Sequence, residues 1–396
     1  MAAPTATNDR NSAIAAIERY FDEGAYQDEL ARRVAIRSTA QEPQFRDQLD
    51  TYLTDEIGPA LEAMGYRWSV HPNPDPAGGP FLVGHRHEAD DRPTVLTYGH
   101  GDVVRGLEGK WSEDRDPWAL TVEDDRWYGR GTADNKGQHT INLAALAAVL
   151  EERGSLGFNS TILLETSEEV GSPGLAAFAK ANRDLLRADV LIGSDGPRLR
   201  PESPTIFMGT RGALNFTLSL DLREGGHHSG NWGGLIANPG VRLANALASL
   251  VGPTGEILVP ELRPEAIPDD VRRALAGLEV DGGADGPEVD PGWGHPGLTP
   301  AERVFAWNAF EVLAFEAGNP AKVVNAIPPR ATAWCQIRFT VDRDPETFLP
   351  AIRHHLDREG FTDVAVETQP GTTIMAATRL SPDHPWARWV TDSIEA

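Results

Sequence analysis

Three apolar segments, each ending in acidic or imidazole side chains, alternate with helical patterns in the first half of the chain. These segments are "TVLTYGHGDVV" at 94–104, "STILLETSEE" at 160–169 and "ADVLIGSD" at 188–195. A helical pattern that stops at Gly154 and a second one near 174–187 separate them. Strands that alternate with helices pair in parallel and carry helices on both faces of the sheet. The sequence therefore predicts an α/β fold with a mostly parallel sheet flanked by helices.

The residues that could carry chemistry fall at the ends of these strands or in the loops that follow. In open parallel sheets, ligands collect at the carboxyl ends of the strands. The candidates are His100, Asp102, Asp134, Glu168, Glu169 and Asp195. The sequence therefore predicts one site that contains all of them.

The first candidates are His100 and Asp102 in "GHGDVV". A neutral imidazole is a good zinc ligand, and a carboxylate two residues later can hold the other ring nitrogen and fix the tautomer. The alternative is a histidine at a strand end that makes a local hydrogen bond. The pair alone does not decide between these interpretations.

Asp134 lies in "GRGTADNKG", directly before a predicted helix. An aspartate in this place could simply cap the helix. Gly129 and Gly131 begin a dinucleotide-binding pattern, but Asp134 occupies the place of its third glycine. The pattern therefore disfavours a dinucleotide cofactor.

Glu168 and Glu169 are adjacent in "ETSEEVGSPG". Neighbouring residues of an extended chain point to opposite sides, so the two carboxylates can serve different roles at one centre. One can bind a dication while the other takes a proton from water, although two solvated surface glutamates remain the alternative. With the histidine and aspartates of the neighbouring strand ends, the pair fits a site for two divalent metal ions. Zinc is the expected metal, with manganese or cobalt as alternatives.

Charge and composition exclude several classes of partner. The net charge is −23, from 59 acidic and 36 basic residues, so the surface repels phosphate backbones and anionic lipids. The N-terminus lacks a signal-peptide pattern, and no segment approaches the roughly 18 apolar residues of a membrane span. We therefore expect a cytoplasmic protein without a nucleic-acid or membrane partner. Cys335 is the only cysteine, which excludes an intrachain disulfide and predicts a small buried hydrophobic residue.

The pattern of apolar and polar residues changes near residue 211, where "GALNFTLSLDL" has apolar residues at every second position, as an antiparallel strand does. Two helices, at 238–251 and 344–360, and further alternating segments follow. This pattern predicts an α+β lid domain at 211–368, inserted into a catalytic domain formed by 1–210 and 369–396. An open edge of its antiparallel sheet favours pairing with a second copy, so we expect a homodimer.

The motifs "TYGHGDVV", "WYGRGTADNKG", "ETSEEVGSPG" and "GSDGP", in this order, resemble the co-catalytic zinc metallopeptidases. That family includes carnosine dipeptidase, glutamate carboxypeptidase, aminoacylase and succinyl-diaminopimelate desuccinylase. The resemblance continues through "HHSGNWGGLIANPG" and "VVNAIPPRATAWCQIRF" and covers roughly residues 90–365. It implies a two-zinc hydrolase with an inserted dimerisation domain.

The resemblance also implies roles for single residues. His100 and Asp195 would bind one zinc, Glu169 would bind the other, Asp134 would bridge both, Asp102 would orient His100, and Glu168 would be the general base. The peptide bond from Asp134 to Asn135 would be cis. His228 would reach into the active site of the partner subunit, and Arg338 would bind a substrate carboxylate, although a strand-surface arginine is its alternative.

Substrate class follows from a finer resemblance. Asp rather than Glu at position 195 resembles the dipeptidase and aminopeptidase members, which implies hydrolysis of a dipeptide or small peptide. An N-acyl amino acid deacylase or carboxypeptidase is the alternative within the family.

One part of the family pattern is not found. The family has a fifth ligand, a histidine near the C-terminus that follows a glycine-rich loop, and His384 in "SPDHPW" lies outside that context. The last segment also predicts a helix without a stop signal. We therefore expect a shortened sequence, and a catalytically silent dimeric metal-binding scaffold remains an alternative.

Overall fold

The structure, a computed structural model, describes residues 6–196, 198, 203–280, 286–370 and 374–396. The chain forms two compact units, Met1–Pro197 and Arg198–Ala396. In this division residues 374–396 lie in the second unit, where Met375 pairs with Ala213. The boundaries proposed from the sequence, 1–210 with 369–396 and 211–368, stay a prediction.

The first unit contains one mixed five-stranded sheet. Its strands and those of a separate hairpin are β1 Arg67–His71, β2 Phe81–Arg86, β3 Thr94–His100, β4 Thr121–Glu123, β5 Arg126–Tyr128, β6 Asn159–Glu165 and β7 Val190–Gly193. The sheet order is β1-β2-β6-β3-β7, and β4 pairs with β5. Strands β6, β3 and β7 are parallel, as predicted. The antiparallel strands β1 and β2 extend the sheet beyond the predicted alternation.

Six α-helices lie within the described residues of the first unit. They are α1 Ala6–Asp22, α2 Ala25–Ala35, α3 Arg46–Thr51, α4 Gly58–Ala63, α5 Lys136–Arg153 and α6 Leu175–Ala181. Apolar positions at helical spacing over residues 12–37 predict a single helix, but this prediction is wrong, because Gly24 adopts a φ of 83° and separates α1 from α2. The same spacing over residues 43–64 predicts a second helix, which a π-helical turn, Tyr52–Ile57, interrupts between α3 and α4. Helix α5 ends at Gly154, as predicted.

Side chains of β2 and β6 alternate between two apolar clusters on opposite faces of the sheet. Leu82 and Leu164 pack in the cluster that includes Tyr52 and Leu143 of the helices on one face. Phe81 and Leu163 pack with Phe178 of α6 on the other face. This period of two holds the strands in register.

The second unit is an α+β layer structure. Its helices are α7 Ser229–Trp232, α8 Pro239–Leu250, α9 Asp269–Leu275, α10 Pro300–Phe305, α11 Phe348–Arg358 and α12 Pro385–Glu395. Its strands are β8 Gly212–Asp221, β9 His227–His228, β10 Ala309–Ala317, β11 Ala326–Ile327, β12 Arg330–Phe339 and β13 Ala365–Thr368. The order β10-β12-β8-β13 gives an antiparallel sheet whose apolar face packs on α8 and α11.

Two predictions concern single features of these elements. Cys335 lies fully buried in β12, and burial raises the pKa of its thiol to about 12, so its predicted role as a core residue is confirmed. Within the ranges that the structure describes, no helix has the length and apolar character needed to cross a bilayer.

Candidate metal centre

The three parallel strands β6, β3 and β7 end next to one another, and predicted residues lie together at or just after their carboxyl ends. In register, His100 of β3 lies opposite Glu165 of β6, and Tyr98 lies opposite Gly193 of β7. The loops that follow carry Glu168 and Asp195. One potential ligand atom from each of His100, Glu168 and Asp195 lies within 4.8 Å of the others.

The imidazole of His100 is fully buried, and its two nitrogens face different partners. Its Nε2 lies 2.9 Å from Asp134 Oδ1, 3.8 Å from Asp195 Oδ2 and 4.0 Å from Glu168 Oε2. Its Nδ1 lies 3.0 Å from the backbone oxygen of Asp102 and 3.4 Å from the carboxylate of Asp102. Since the groups around Nδ1 are acceptors, a neutral ring carries its proton there and turns the lone pair of Nε2 toward the carboxylates.

Asp102 is fully buried and connects two of the loops. Its Oδ1 accepts a hydrogen bond from the backbone N–H of Glu168 and its Oδ2 accepts one from that of Glu169, each at 3.1 Å. The carboxylate therefore fixes the loop after β6 as well as facing His100. The sequence pattern indicated only the contact with the histidine.

Two further acidic candidates are Asp134 and Glu169, which the group of His100, Glu168 and Asp195 does not include. Asp134 is exposed and precedes α5, and its peptide bond to Asn135 is cis, as the resemblance predicts. Burial raises the pKa of Glu169, and the charge of Asp134 raises it further. The extended conformation predicted for Glu168 and Glu169 is wrong, because both lie in a 3₁₀ turn, Glu168–Val170.

Burial raises the pKa of Glu168, Glu169 and Asp195, and neighbouring carboxylates raise it further. Burial is the largest of the causes that raise the pKa of Glu168 to about 7, with His100 opposing the rise and Asp195 and Glu169 adding to it. Burial alone would lower the pKa of His100, but Asp102, Asp195 and Glu168 raise it to about 10. Imidazole and carboxylate oxygens are donors that suit zinc, and a dication relieves this repulsion. The residues present therefore fit a divalent metal ion.

Two buried charged residues near the site did not stand out in the sequence. Glu165, at the end of β6, accepts hydrogen bonds from the hydroxyls of Tyr98 at 2.5 Å and Ser172 at 2.9 Å. Lys136 donates to the backbone oxygens of Arg33 and Ile36, at the end of α2, and burial lowers its pKa to about 7. A charged residue that directly ends an apolar strand is a signal that could have identified Glu165 from the sequence.

The remaining predicted residues lie in the second unit. His228 is exposed, and its Nδ1 accepts the backbone N–H of Gly230 at 3.1 Å. Arg338 is half-buried in β12 and donates from Nε to Gln336 Oε1 at 2.8 Å. His384 caps α12. The roles predicted for His228 and Arg338 stay predictions.

Known proteins resemble this chain in sequence. The family described as Peptidase family M20/M25/M40 matches residues 96–396. Cysteinylglycine-S-conjugate dipeptidase of Corynebacterium striatum is 30% identical over 290 residues, which cover 70% of this chain and 60% of that protein. Beta-Ala-His dipeptidase of Homo sapiens is 31% identical over 267 residues, which cover 63% of this chain and 52% of that protein.

A similar fold has been solved. The crystal structure of human carnosine dipeptidase 1 aligns with 99% of this chain and 85% of that chain, with a TM-score of 0.72 and 23% identity. At this identity the likeness shows the fold alone. The matched region covers 60% and 52% of the length of the two curated relatives.

Proposed function

This chain belongs to peptidase family M20/M25/M40, and from that premise we propose that it is a metal-dependent hydrolase of the amide bond of a dipeptide or small peptide. The observation that carries the proposal is the convergence of His100, Glu168 and Asp195 at the ends of three parallel strands. The names of the relatives, a cysteinylglycine-S-conjugate dipeptidase and a Beta-Ala-His dipeptidase, favour a dipeptide substrate.

We assign two divalent ions to the site, with zinc as the expected metal and manganese or cobalt as alternatives. His100 and Asp195 would hold one ion, Glu169 would hold the other, and Asp134 would bind both. The contacts of His100 Nε2 with Asp134 at 2.9 Å and Asp195 at 3.8 Å support this assignment. So does the raised pKa of Glu169, which burial causes and Asp134 increases.

Glu168 is the proposed general base. When bound, the ions polarise the substrate carbonyl and lower the pKa of water. Glu168 can take a proton from water as the water oxygen bonds to the carbonyl carbon. It then returns that proton to the amine nitrogen as the C–N bond breaks. Asp102 keeps His100 oriented by facing its Nδ1.

The second unit supplies the proposed substrate contacts and the dimer contact. Among the described residues, strand β10 pairs with β12 on one side and has no partner strand on the other, which leaves an edge of the sheet. Val312, Leu313 and Phe315 expose apolar surface there. We assign a second copy of the chain to this edge, with His228 stabilising the oxyanion in the partner's site and Arg338 binding a substrate carboxylate.

The dimer contact is tested by Leu313→Asp, because a charge on this edge should weaken pairing between copies. We expect sedimentation velocity to show a dimer for the wild type and a monomer for the variant. Leu278→Asp, which changes an exposed leucine outside β10, is the matched control. A monomeric wild type removes the role proposed for His228 across a dimer.

The catalytic proposal is tested by metal analysis and by hydrolysis of a panel that includes cysteinylglycine and Beta-Ala-His. We expect two ions per chain and hydrolysis that a chelator abolishes. Glu168→Gln should keep its metal and lose about 100-fold or more in kcat. Glu151→Gln, an exposed glutamate of α5, is the control.

Two results would contradict this proposal. Metal-loaded wild-type protein that leaves every dipeptide intact removes the dipeptidase function. One ion or none per chain favours the silent scaffold instead.

A further inference from the structure

Asn135 lies at the centre of a buried polar network behind the metal centre. Its side chain is fully buried, and its Oδ1 accepts the backbone N–H of His100 at 3.1 Å. Its Nδ2 donates to the backbone oxygen of Ser194 at 2.5 Å, directly before Asp195. Asp134 precedes it in the chain. One amide therefore contacts or adjoins all three segments that carry His100, Asp134 and Asp195.

Two buried side chains behind Asn135 determine which way its amide faces. His139 Nδ1 lies 3.1 Å from Asn135 Oδ1, and His139 Nε2 is hydrogen bonded to the hydroxyl of Tyr52. Burial lowers the pKa of His139 well below its usual value, with Arg33 adding to the effect, so the ring is neutral. Burial also raises the pKa of Tyr52, so its hydroxyl keeps its proton and can donate.

The direction of each hydrogen bond follows from these states. The backbone N–H of His100 and the backbone oxygen of Ser194 make Asn135 Oδ1 an acceptor. The ring proton of His139 therefore lies on Nδ1 and is donated to Oδ1, and Nε2 accepts from the hydroxyl of Tyr52. The opposite orientation of the amide would set its NH₂ group against the N–H groups of His100 and His139. It would also set its oxygen against the carbonyl of Ser194. Only one orientation of Asn135 therefore satisfies its neighbours.

The glycines beside His100 allow this close approach. A Cβ on Gly99 would lie 2.9 Å from Asn135 Oδ1, and a Cβ on Gly101 would overlap the ring of Tyr52. Both glycines stand in "GHG", so the end of β3 is shaped to accept the network on the side away from the carboxylates.

We propose that Asn135 is a positioning residue of the metal centre, and that Tyr52 and His139 fix its orientation. This inference rests on the proposed function, because its measured effect is on metal affinity. Asn135 holds the His100 segment and the Asp195 segment at a set separation by accepting from one and donating to the other. Groups that orient metal ligands typically change metal affinity by about 10- to 100-fold when they are removed.

The test is competition titration with Zn²⁺ and a chromophoric chelator. Asn135→Asp keeps the acceptor for His100 and sets a carboxylate oxygen against the carbonyl of Ser194, so we expect its Zn²⁺ affinity to fall about 100-fold. Tyr52→Phe removes only the hydroxyl, and its affinity should fall about 10-fold. Because Tyr52 acts through Asn135, adding Tyr52→Phe to Asn135→Asp should cause no further loss.

Tyr66→Phe is the matched control, since Tyr66 belongs to the same apolar cluster as Tyr52 but its buried hydroxyl makes no hydrogen bond to His139 or Asn135. Its Zn²⁺ affinity should equal that of the wild type. Thermal unfolding without metal shows whether each variant is folded. If Asn135→Asp is not folded, the Zn²⁺ affinity of Tyr52→Phe still tests the proposal. The absorption bands of bound Co²⁺ should shift in Asn135→Asp and Tyr52→Phe only, because they report ligand geometry.

The possible results separate the two proposals. A wild-type chain that binds Zn²⁺, with folded Asn135→Asp and Tyr52→Phe variants that bind it equally well, overturns the positioning role alone. A wild-type chain that binds no Zn²⁺ overturns the proposed function and this inference with it.

Discussion

The two units bury different kinds of side chain. At the strand ends of the first unit, several polar or charged groups are fully or almost fully buried: His100, Asp102, Asn135, Lys136, His139 and Glu165. In the sheet of the second unit, the side chains of Phe216, Leu218 and Cys335 face an apolar core with helices α8 and α11. Both units have apolar cores, but the strand ends of the first unit also hold acidic groups close together, as a metal site requires.

The largest effect should come from the core of the second unit. Phe216→Ala leaves a cavity in a fully buried site, and we expect it to lower the free energy of unfolding of this unit by about 3–5 kcal/mol. Zn²⁺ affinity should stay unchanged. Urea unfolding with a probe in the second unit measures the first effect. Thr217→Ala, on the half-buried face of the same strand, is the control, and an equal loss in that variant contradicts the packing account.

Metal should stabilise the first unit alone. At a free Zn²⁺ concentration about 100 times the Kd, mass action adds about 2.7 kcal/mol to the stability of the state that binds it. Hydrogen exchange should therefore slow in β3 and β6 but not in β12. Asp195→Asn should weaken this protection. Equal slowing in both units would remove the distinction between them.

The pH dependence of the stability of the metal-free first unit should show the repulsion between its carboxylates directly. The folded state raises the pKa of Glu168 to about 7 from an ordinary value of 4.5, so the folded state binds more protons between these values. Its stability therefore falls as pH rises from about 4.5 to 7. Glu168→Gln should remove about 1 kcal/mol of this fall, a reduced figure because solvent screens a partly exposed carboxylate. Denaturant unfolding at both pH values measures it, and an identical pH slope in the variant contradicts the account.

The smallest effect on stability should come from an ion pair at the surface of the second unit. Arg242 Nε donates to both carboxylate oxygens of Asp363, at 2.8 and 2.6 Å, and both side chains are about one-third exposed. We expect Arg242→Gln to cost about 0.5 kcal/mol, the usual range for an exposed ion pair. Urea unfolding checks this value. A loss as large as that of Phe216→Ala would show that charge, too, stabilises this unit.

The sequence predicted the strand ends well because apolar runs followed by polar residues report both the strand and its end. His100, Glu168 and Asp195 could be placed together on that basis. Asn135 and Lys136 could not, because their partners lie far away in the chain and a polar residue before a helix normally reads as a cap. The break at Gly24 was missed because apolar spacing continues through a glycine that turns the chain.

The most direct test of the metal centre is a crystal structure of the Zn²⁺-loaded protein with anomalous scattering at the zinc edge. With two ions bound, we expect two zinc peaks, one with His100 Nε2 and an Asp195 oxygen as ligands and one with a Glu169 oxygen. Each zinc should lie about 2.0–2.2 Å from these ligand atoms. An oxygen from Asp134 should lie between the peaks. Absence of zinc at His100, or zinc bound only elsewhere on the acidic surface, would contradict it.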